Sequence, residues 1–333
     1  MESTGTWRET VARFGGRSHW LDLDGPLHYV EFGPETARAA APGAATEGAA
    51  ERAAEGAAEP PVVLVHGLGG SFVEWLALAP LLSRDRRVLA LDLPGHGLTP
   101  ASGRRPRLAD LQGLLNRFLL ATGLQRPLVV GNSLGGALAA LHASAWPRAT
   151  SGAVLVDPVL PIGPRMRPHP LVVAGFAAYA TPGLGRRVLD RRRMLVPPDL
   201  LIHETLAFVC ADPGRIPPEV VAAGVQMAAH RRLWPPDDAA FLAVARDILR
   251  RLARPAAYTD MLATVEAPVL LIHGDEDRFV PVTAAQRAVG RLTTWQHAII
   301  AGAGHLPQLE AAPDVAALIR GWQSGSAVAS PRA

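Results

Sequence analysis

The chain has 333 residues, 49% of them hydrophobic, with a formal net charge of +3. That suffices for one large α/β domain with an elaboration, or two small domains, and no basic stripe with interleaved aromatics marks a nucleic-acid binder. All 33 basic residues are arginine, which excludes a Schiff-base lysine and a lysine-terminated phosphate loop, and the lone Cys210 excludes an intrachain disulfide framework or a cysteine metal cluster. With no run of about 18 apolar residues and no apolar signal core near the N-terminus, a cytoplasmic protein without a membrane span is expected.

Residues 1 to 16 suggest a short amphipathic helix or a frayed arm. Ser18 to Leu23 and Leu27 to Phe32 flank Asp24-Gly25-Pro26 and predict a β-hairpin. Residues 34 to 61 form an Ala/Glu-rich insertion without large apolar side chains, expected to be solvated. From Val62 the pattern alternates apolar strands with helices, the signature of a mostly parallel sheet with helices on both faces, so the fold class is α/β. Strands are expected at Val62 to Val65, Arg87 to Leu91, Leu128 to Asn132, Ala153 to Val156, Val269 to His273 and His297 to Ile300. Helices are expected at Phe72 to Leu82, Leu108 to Ala121, after Ser133, and over 313 to 322. Between about Pro161 and Ala267 the alternation gives way to proline-punctuated helical segments, predicted to form a helical cap over the sheet edge. Residues 1–160 and 268–323 are expected to form the core, 161–267 the cap, and 324–333 a mobile tail.

The strand Leu128-Val129-Val130-Gly131-Asn132 stops at Ser133 and turns at once into the helix begun by Leu134-Gly135-Gly136. In this G-x-S-x-G arrangement the glycines two residues either side leave room for a serine on a strained strand-to-helix turn. A serine hydroxyl needs a base to take its proton and a third group to orient that base. His305, in a glycine-rich loop after a predicted strand, fits the base. Its partner is expected to be a carboxylate on an adjacent strand end.

Five segments in order, His66 to Gly70, Asp92 to Gly97, Gly131 to Gly136, Gly274 to Pro281 and Gly302 to Leu306, make the chain resemble the α/β-hydrolase superfamily, in particular its capped serine esterases and lipases. The resemblance implies a catalytic set of Ser133, Asp277 and His305, with Asp157 as the alternative acid. It implies an oxyanion hole of the Leu68 and Leu134 backbone N–H groups. His66, Gly67 and Asn132 are expected to support the pocket, and no cofactor or metal is expected, since no carboxylate or cysteine lies at ligand spacing from His66 or His96. A serine at the nucleophile position argues against the dehalogenases and epoxide hydrolases of the fold. The expected function is hydrolysis of a small to medium apolar carboxylic ester. The alternatives are carbon–carbon cleavage of a ring-cleavage product, acyl transfer, and a non-catalytic binding protein on the same fold. Gly69-Gly70 and His305-Leu306 depart from the Pro and Trp common in the carbon–carbon hydrolases.

Overall fold

The computed structural model describes residues 3–34, 59–163, 166–234 and 238–326. Residues 35–58 of the insertion expected over 34–61 and most of the tail expected at 324–333 lie outside them. One sheet of eight strands runs in the order β1-β2-β4-β3-β5-β6-β7-β8. These are β1 (Gly16–Asp22), β2 (Pro26–Phe32), β3 (Val62–Val65), β4 (Val88–Leu91), β5 (Leu128–Asn132), β6 (Gly152–Val156), β7 (Val269–Gly274) and β8 (Gln296–Ile300). The hairpin β1–β2 and the pair β2–β4 are antiparallel; all other neighbours are parallel. The central strands are buried at every position because helices cover both faces, which is why they read as unbroken apolar runs. Period two divides them between two apolar layers, Val63, Val65 and Val129 facing one and Val62, Leu64 and Val130 the other.

One layer is closed by α3 (Leu108–Ala121) and α4 (Leu134–Ala145), the other by α1 (Ser3–Arg13), the short α2 (Ala79–Leu82) and the closing helix α13 (Ala312–Gln323). The N-terminal helix is docked, with Trp7 and Val11 buried and Trp7 edge-on to Phe72 at 5.6 Å. The continuous helix expected over 72–82 is instead a 3-10 turn, Phe72–Trp75, followed by α2. Pro80 is the reason. Inside one long helix its ring would meet a carbonyl four residues back, whereas in the first turn of α2 its missing N–H is harmless.

Between β6 and β7 lies a helical insertion: α5 (Pro170–Ala180), α6 (Leu184–Leu195), α7 (Pro198–Val209), α8 (Pro218–Leu233), α9 (Asp238–Leu252) and α10 (Pro255–Ala263). Pro170, Pro198, Pro218 and Pro255 each open a helix, so the prolines that punctuate this stretch start its helices. The insertion is not uniformly peripheral. Cys210, Ile216, Val220, Ala223 and Met227 are buried in the same layer as α1 and α13. The fold closes with α11 (Val282–Arg291), the one-turn α12 (Pro307–Glu310) and α13. Among the described residues, no helix is long and apolar enough to cross a membrane.

Candidate active site

Ser133 sits where β5 becomes α4, with φ +52° and ψ −110°, a conformation an L-residue adopts only under constraint. The constraint is visible in its neighbours. A Cβ on Gly131 would lie 2.1 Å from the Gly135 carbonyl carbon, and one on Gly135 would lie 1.8 Å from Val65 O. The Ser133 N–H donates to Val156 O at 3.0 Å, while its carbonyl accepts from Ala137 and Val159, both at 3.1 Å. These bonds tie the elbow to β6 and to the chain beyond it.

His305 follows β8. Its Nδ1 donates to Asp277 Oδ2 at 2.8 Å, which leaves Nε2 bare to take a proton. Phe279 stacks on the imidazole at 4.7 Å between centroids and lines the same cavity as Ser133. The loop is held by the His305 N–H on Val209 O at 2.7 Å and by Asn132 Nδ2 on His305 O at 3.0 Å. Asn132 therefore braces the imidazole loop from the residue before the serine. No hydrogen bond joins the Ser133 hydroxyl to His305; such bonds commonly close only in the substrate complex.

The two candidate acids lie side by side but differ in environment. In the β6–β7 register Val156 faces Ile272, so Asp157 and His273 leave adjacent strands together. Asp277 follows four residues later, with Oδ1 accepting the Phe279 and Val280 N–H groups at 2.7 and 3.2 Å. Burial acts to raise the Asp277 carboxyl, but the charge and hydrogen bond of His305, with His273, hold it below the ordinary carboxylate value. Asp157 makes no bond to His305. It accepts the Gly274 N–H at 3.0 Å, and burial, followed by the charge of Asp277 and a hydrogen bond with its carboxylate, pushes it well above the ordinary value. Like charges this close do not both ionise, so Asp277 carries the charge and Asp157 the proton.

The turn after β3 closes with Gly70 N on Gly67 O at 3.1 Å and Gly69 at φ +81°, the pattern of a type II turn with Leu68 at its first central position. Gly67 O also accepts from His66 Nδ1 at 2.7 Å, and Gly67 N donates to Glu74 Oε2 at 3.2 Å. Because N–H and C=O of a trans peptide point oppositely, gripping Gly67 O from two sides fixes the direction of the Leu68 N–H. The Leu134 N–H is one of the donors that the first turn of α4 leaves without a helical acceptor. His66 is wholly buried, accepts the Leu93 N–H on Nε2 at 3.0 Å, and is pushed down to about 4 first by burial, so it stays neutral and structural.

Beside Ser133 opens a cavity of about 330 Å³ walled by Val159, Val172, Phe176, Ile248 and Leu252. A second, also about 330 Å³, lies between the glycine-rich turn after β3 and α7 and α8, and includes Gly69, Gly70, Glu74, Arg231 and Leu306. Asp157, His273 and Asp277 bring three metal-ligand types within 4.8 Å. They do not fit a metal: His273 Nε2 donates to Val280 O at 2.8 Å and so carries a proton, and both Asp277 oxygens are engaged.

Three contributors escape a reading of the sequence. Glu310, buried in α12, accepts the Gly304 N–H on one oxygen at 2.8 Å and those of Ala211 and Asp212 on the other at 2.8 and 2.9 Å, tying the His305 loop to the insertion. Its one local sign is an acidic residue among apolar neighbours five positions after His305. Glu74 and Arg231 hold the glycine-rich turn after β3 at Gly67, Gly69 and Gly70 without any motif of their own.

A serine elbow on a parallel strand, an imidazole–carboxylate pair from later strand ends and a glycine-rich turn define a hydrolase of the α/β fold. The chain belongs to the α/β-hydrolase-fold family, whose model matches residues 60–312. It is 28% identical over 261 residues to the dihydrolipoyllysine-residue acetyltransferase component of the acetoin cleaving system of Cupriavidus necator; the match covers 78% of this chain, which spans 62% of that relative's length. To Lipase 3 of Moraxella sp. it is 24% identical over 268 residues, covering 80% of this chain and 78% of the relative. Protein lip1 of Acinetobacter baumannii shares the fold, with a TM-score of 0.72 at 22% identity over 97% of this chain and 95% of that one.

Proposed function

We propose that the protein is a serine hydrolase cleaving small to medium apolar carboxylic esters through an acyl-enzyme on Ser133. The observation that carries this reading is the strained Ser133 opening onto an apolar cavity of about 330 Å³ whose wall, Phe279, stacks on the Asp277-bound His305. In this reading Ser133 Oγ attacks the ester carbonyl as His305 Nε2 takes its proton, and Asp277 stabilises the imidazolium. The Leu68 and Leu134 N–H groups receive the oxyanion, and His305 returns the proton to the departing alcohol. Water activated by the same imidazole then releases the acid. The acyl chain occupies the cavity under α5, and the insertion serves as the cap that excludes bulk water.

The test is hydrolysis of p-nitrophenyl esters from acetyl to long acyl by wild type, Ser133→Ala and Asp277→Asn. Serine-dependent release is expected, with kcat down about 10⁴-fold or more in Ser133→Ala and about 10⁴-fold in Asp277→Asn. Unchanged turnover in Ser133→Ala would overturn the assignment. Acyl transfer to an added alcohol in preference to water would convert it to an acyltransferase, and release from a vinylogous diketone alone would favour carbon–carbon cleavage.

A further inference from the structure

The three glycines at 67, 69 and 70 give the oxyanion-side turn little stiffness of its own. Its N-terminal half is held by the core, through His66 on Gly67 O and Glu74 on Gly67 N. Its C-terminal half is held by the insertion. Arg231, near the end of α8, donates from Nη1 to Gly69 O at 2.7 Å and from Nη2 to Gly70 O at 2.5 Å. Phe241 on α9 adds a packing contact, since its ring edge lies 3.3 Å from where a Cβ on Gly69 would stand.

Arg231 is used unusually. Its Nε is buried without a hydrogen-bond partner, and the charges of Asp92 and Glu74 act on its guanidinium through space rather than as contact ion pairs. Taking a guanidinium from water is unfavourable, and its two carbonyl contacts, with Asp92 and Glu74 acting only at a distance, recover part of that. A side chain serving stability alone would gain more from an apolar residue of the same volume. The planar fork reaches two successive carbonyls at once, which a lysine ammonium cannot do.

We propose that Arg231 is a positioning residue that couples docking of the helical insertion to formation of the oxyanion hole. With α8 seated, the guanidinium holds the peptides on both sides of Gly70 and keeps the Leu68 N–H aimed at the site. Without the guanidinium the Gly69 and Gly70 peptides lose their outer hold, and through the Gly70 N–H on Gly67 O the aim of that donor loosens, so full reactivity of Ser133 needs α8 seated with Arg231 in place. This inference rests on the serine-hydrolase reading above.

A fluorophosphonate probe separates the two, because its reaction at Ser133 needs the nucleophile, the base and the oxyanion donors but no knowledge of the native ester. In that reaction Oγ–P forms, P–F breaks, and the proton passes to His305 as fluoride leaves. We expect wild type and Arg232→Met, a change at the exposed neighbouring arginine, to be labelled at Ser133 at equal rates. Arg231→Met and Arg231→Lys are expected to label at least about tenfold more slowly, with ester kcat down by the same factor and KM within about twofold, since the oxyanion develops only on the way to the transition state. Inhibition by the product carboxylate is expected to be unchanged. Arg231→Lys keeps the stem and charge, so it carries the test if the methionine variant does not fold. Wild-type labelling rates in either folded variant, or a rise in KM at constant kcat, would overturn the proposal. Failure of wild type itself to label at Ser133 would overturn the serine reading and this inference with it.

Discussion

The sheet and the outer helices of the insertion solve opposite problems with similar apolar content. Strands β3, β5, β6 and β7 bury every residue, whereas α5, with no charged side chain, buries Val172 alone, and α7 buries none of its residues. Leu155 in β6 is 1% exposed; Leu171 in α5 is 64% exposed. The core is thus a close-packed support for the elbow and the imidazole loop, while α5 is a thin wall whose inner side lines the cavity beside Ser133. Hydrophobicity alone does not distinguish structural from site-forming residues; the number of neighbours does.

The largest expected break in this contrast is Gly135→Ala. A methyl 1.8 Å from Val65 O has no way out against backbone, so folded protein is expected to be lost, seen as absent soluble expression or a collapsed melting transition. Leu155→Ala is expected to destabilise by about 2–5 kcal/mol and Leu171→Ala by no more than about 0.5 kcal/mol, measured by chemical denaturation. Equal effects would mean that α5 is covered in solution.

Acid sensitivity is expected to come from the core. His66, His96 and His142 are held neutral by burial, pushed down to about 4, about 3 and about 4. Their unfolded forms take up protons from about pH 6.5 downward, so their contribution is intact above that value and lost as pH falls toward 4, by up to about 1.4 kcal/mol per pH unit each. Glu74, raised to about 7 first by burial, and Asp157 act in the opposite sense over the acid range, but His230 and His273, also lowered first by burial, join the other three histidines, so a net loss on acidification is expected. Thermal melts from pH 7 to 4.5 should show a falling midpoint; a flat profile would place these histidines in contact with water. A small gain is expected from Gly175→Ala in α5, where a methyl meets nothing within 4 Å, of a few tenths up to about 1 kcal/mol from helix propensity, measured by chemical denaturation.

Much of the candidate site was legible because its logic is local. The elbow needs small residues at Gly131 and Gly135, and the parallel strands announce themselves as apolar runs ending in Ser133, Asp157, Asp277 and His305. Local signals also misled where two competed: the apolar spacing of 72–82 suggested one helix, and Pro80 divided it. The atoms through which His66 and Asn132 brace the loops, Gly67 O and His305 O, were not legible from the sequence.

By itself, the amino-acid sequence determined the α/β class, the order of strands and helices, and the serine's strained turn, because backbone sterics and hydrophobic period act over a few residues. Only the tertiary structure decided which carboxylate meets His305, that Glu310 gathers two loops, and that Arg231 grips Gly69 and Gly70 across more than 160 positions of chain. Those choices depend on strand register and helix docking, where one residue's slip or one helix's tilt moves a polar atom out of hydrogen-bond reach, and no short-range pattern records them.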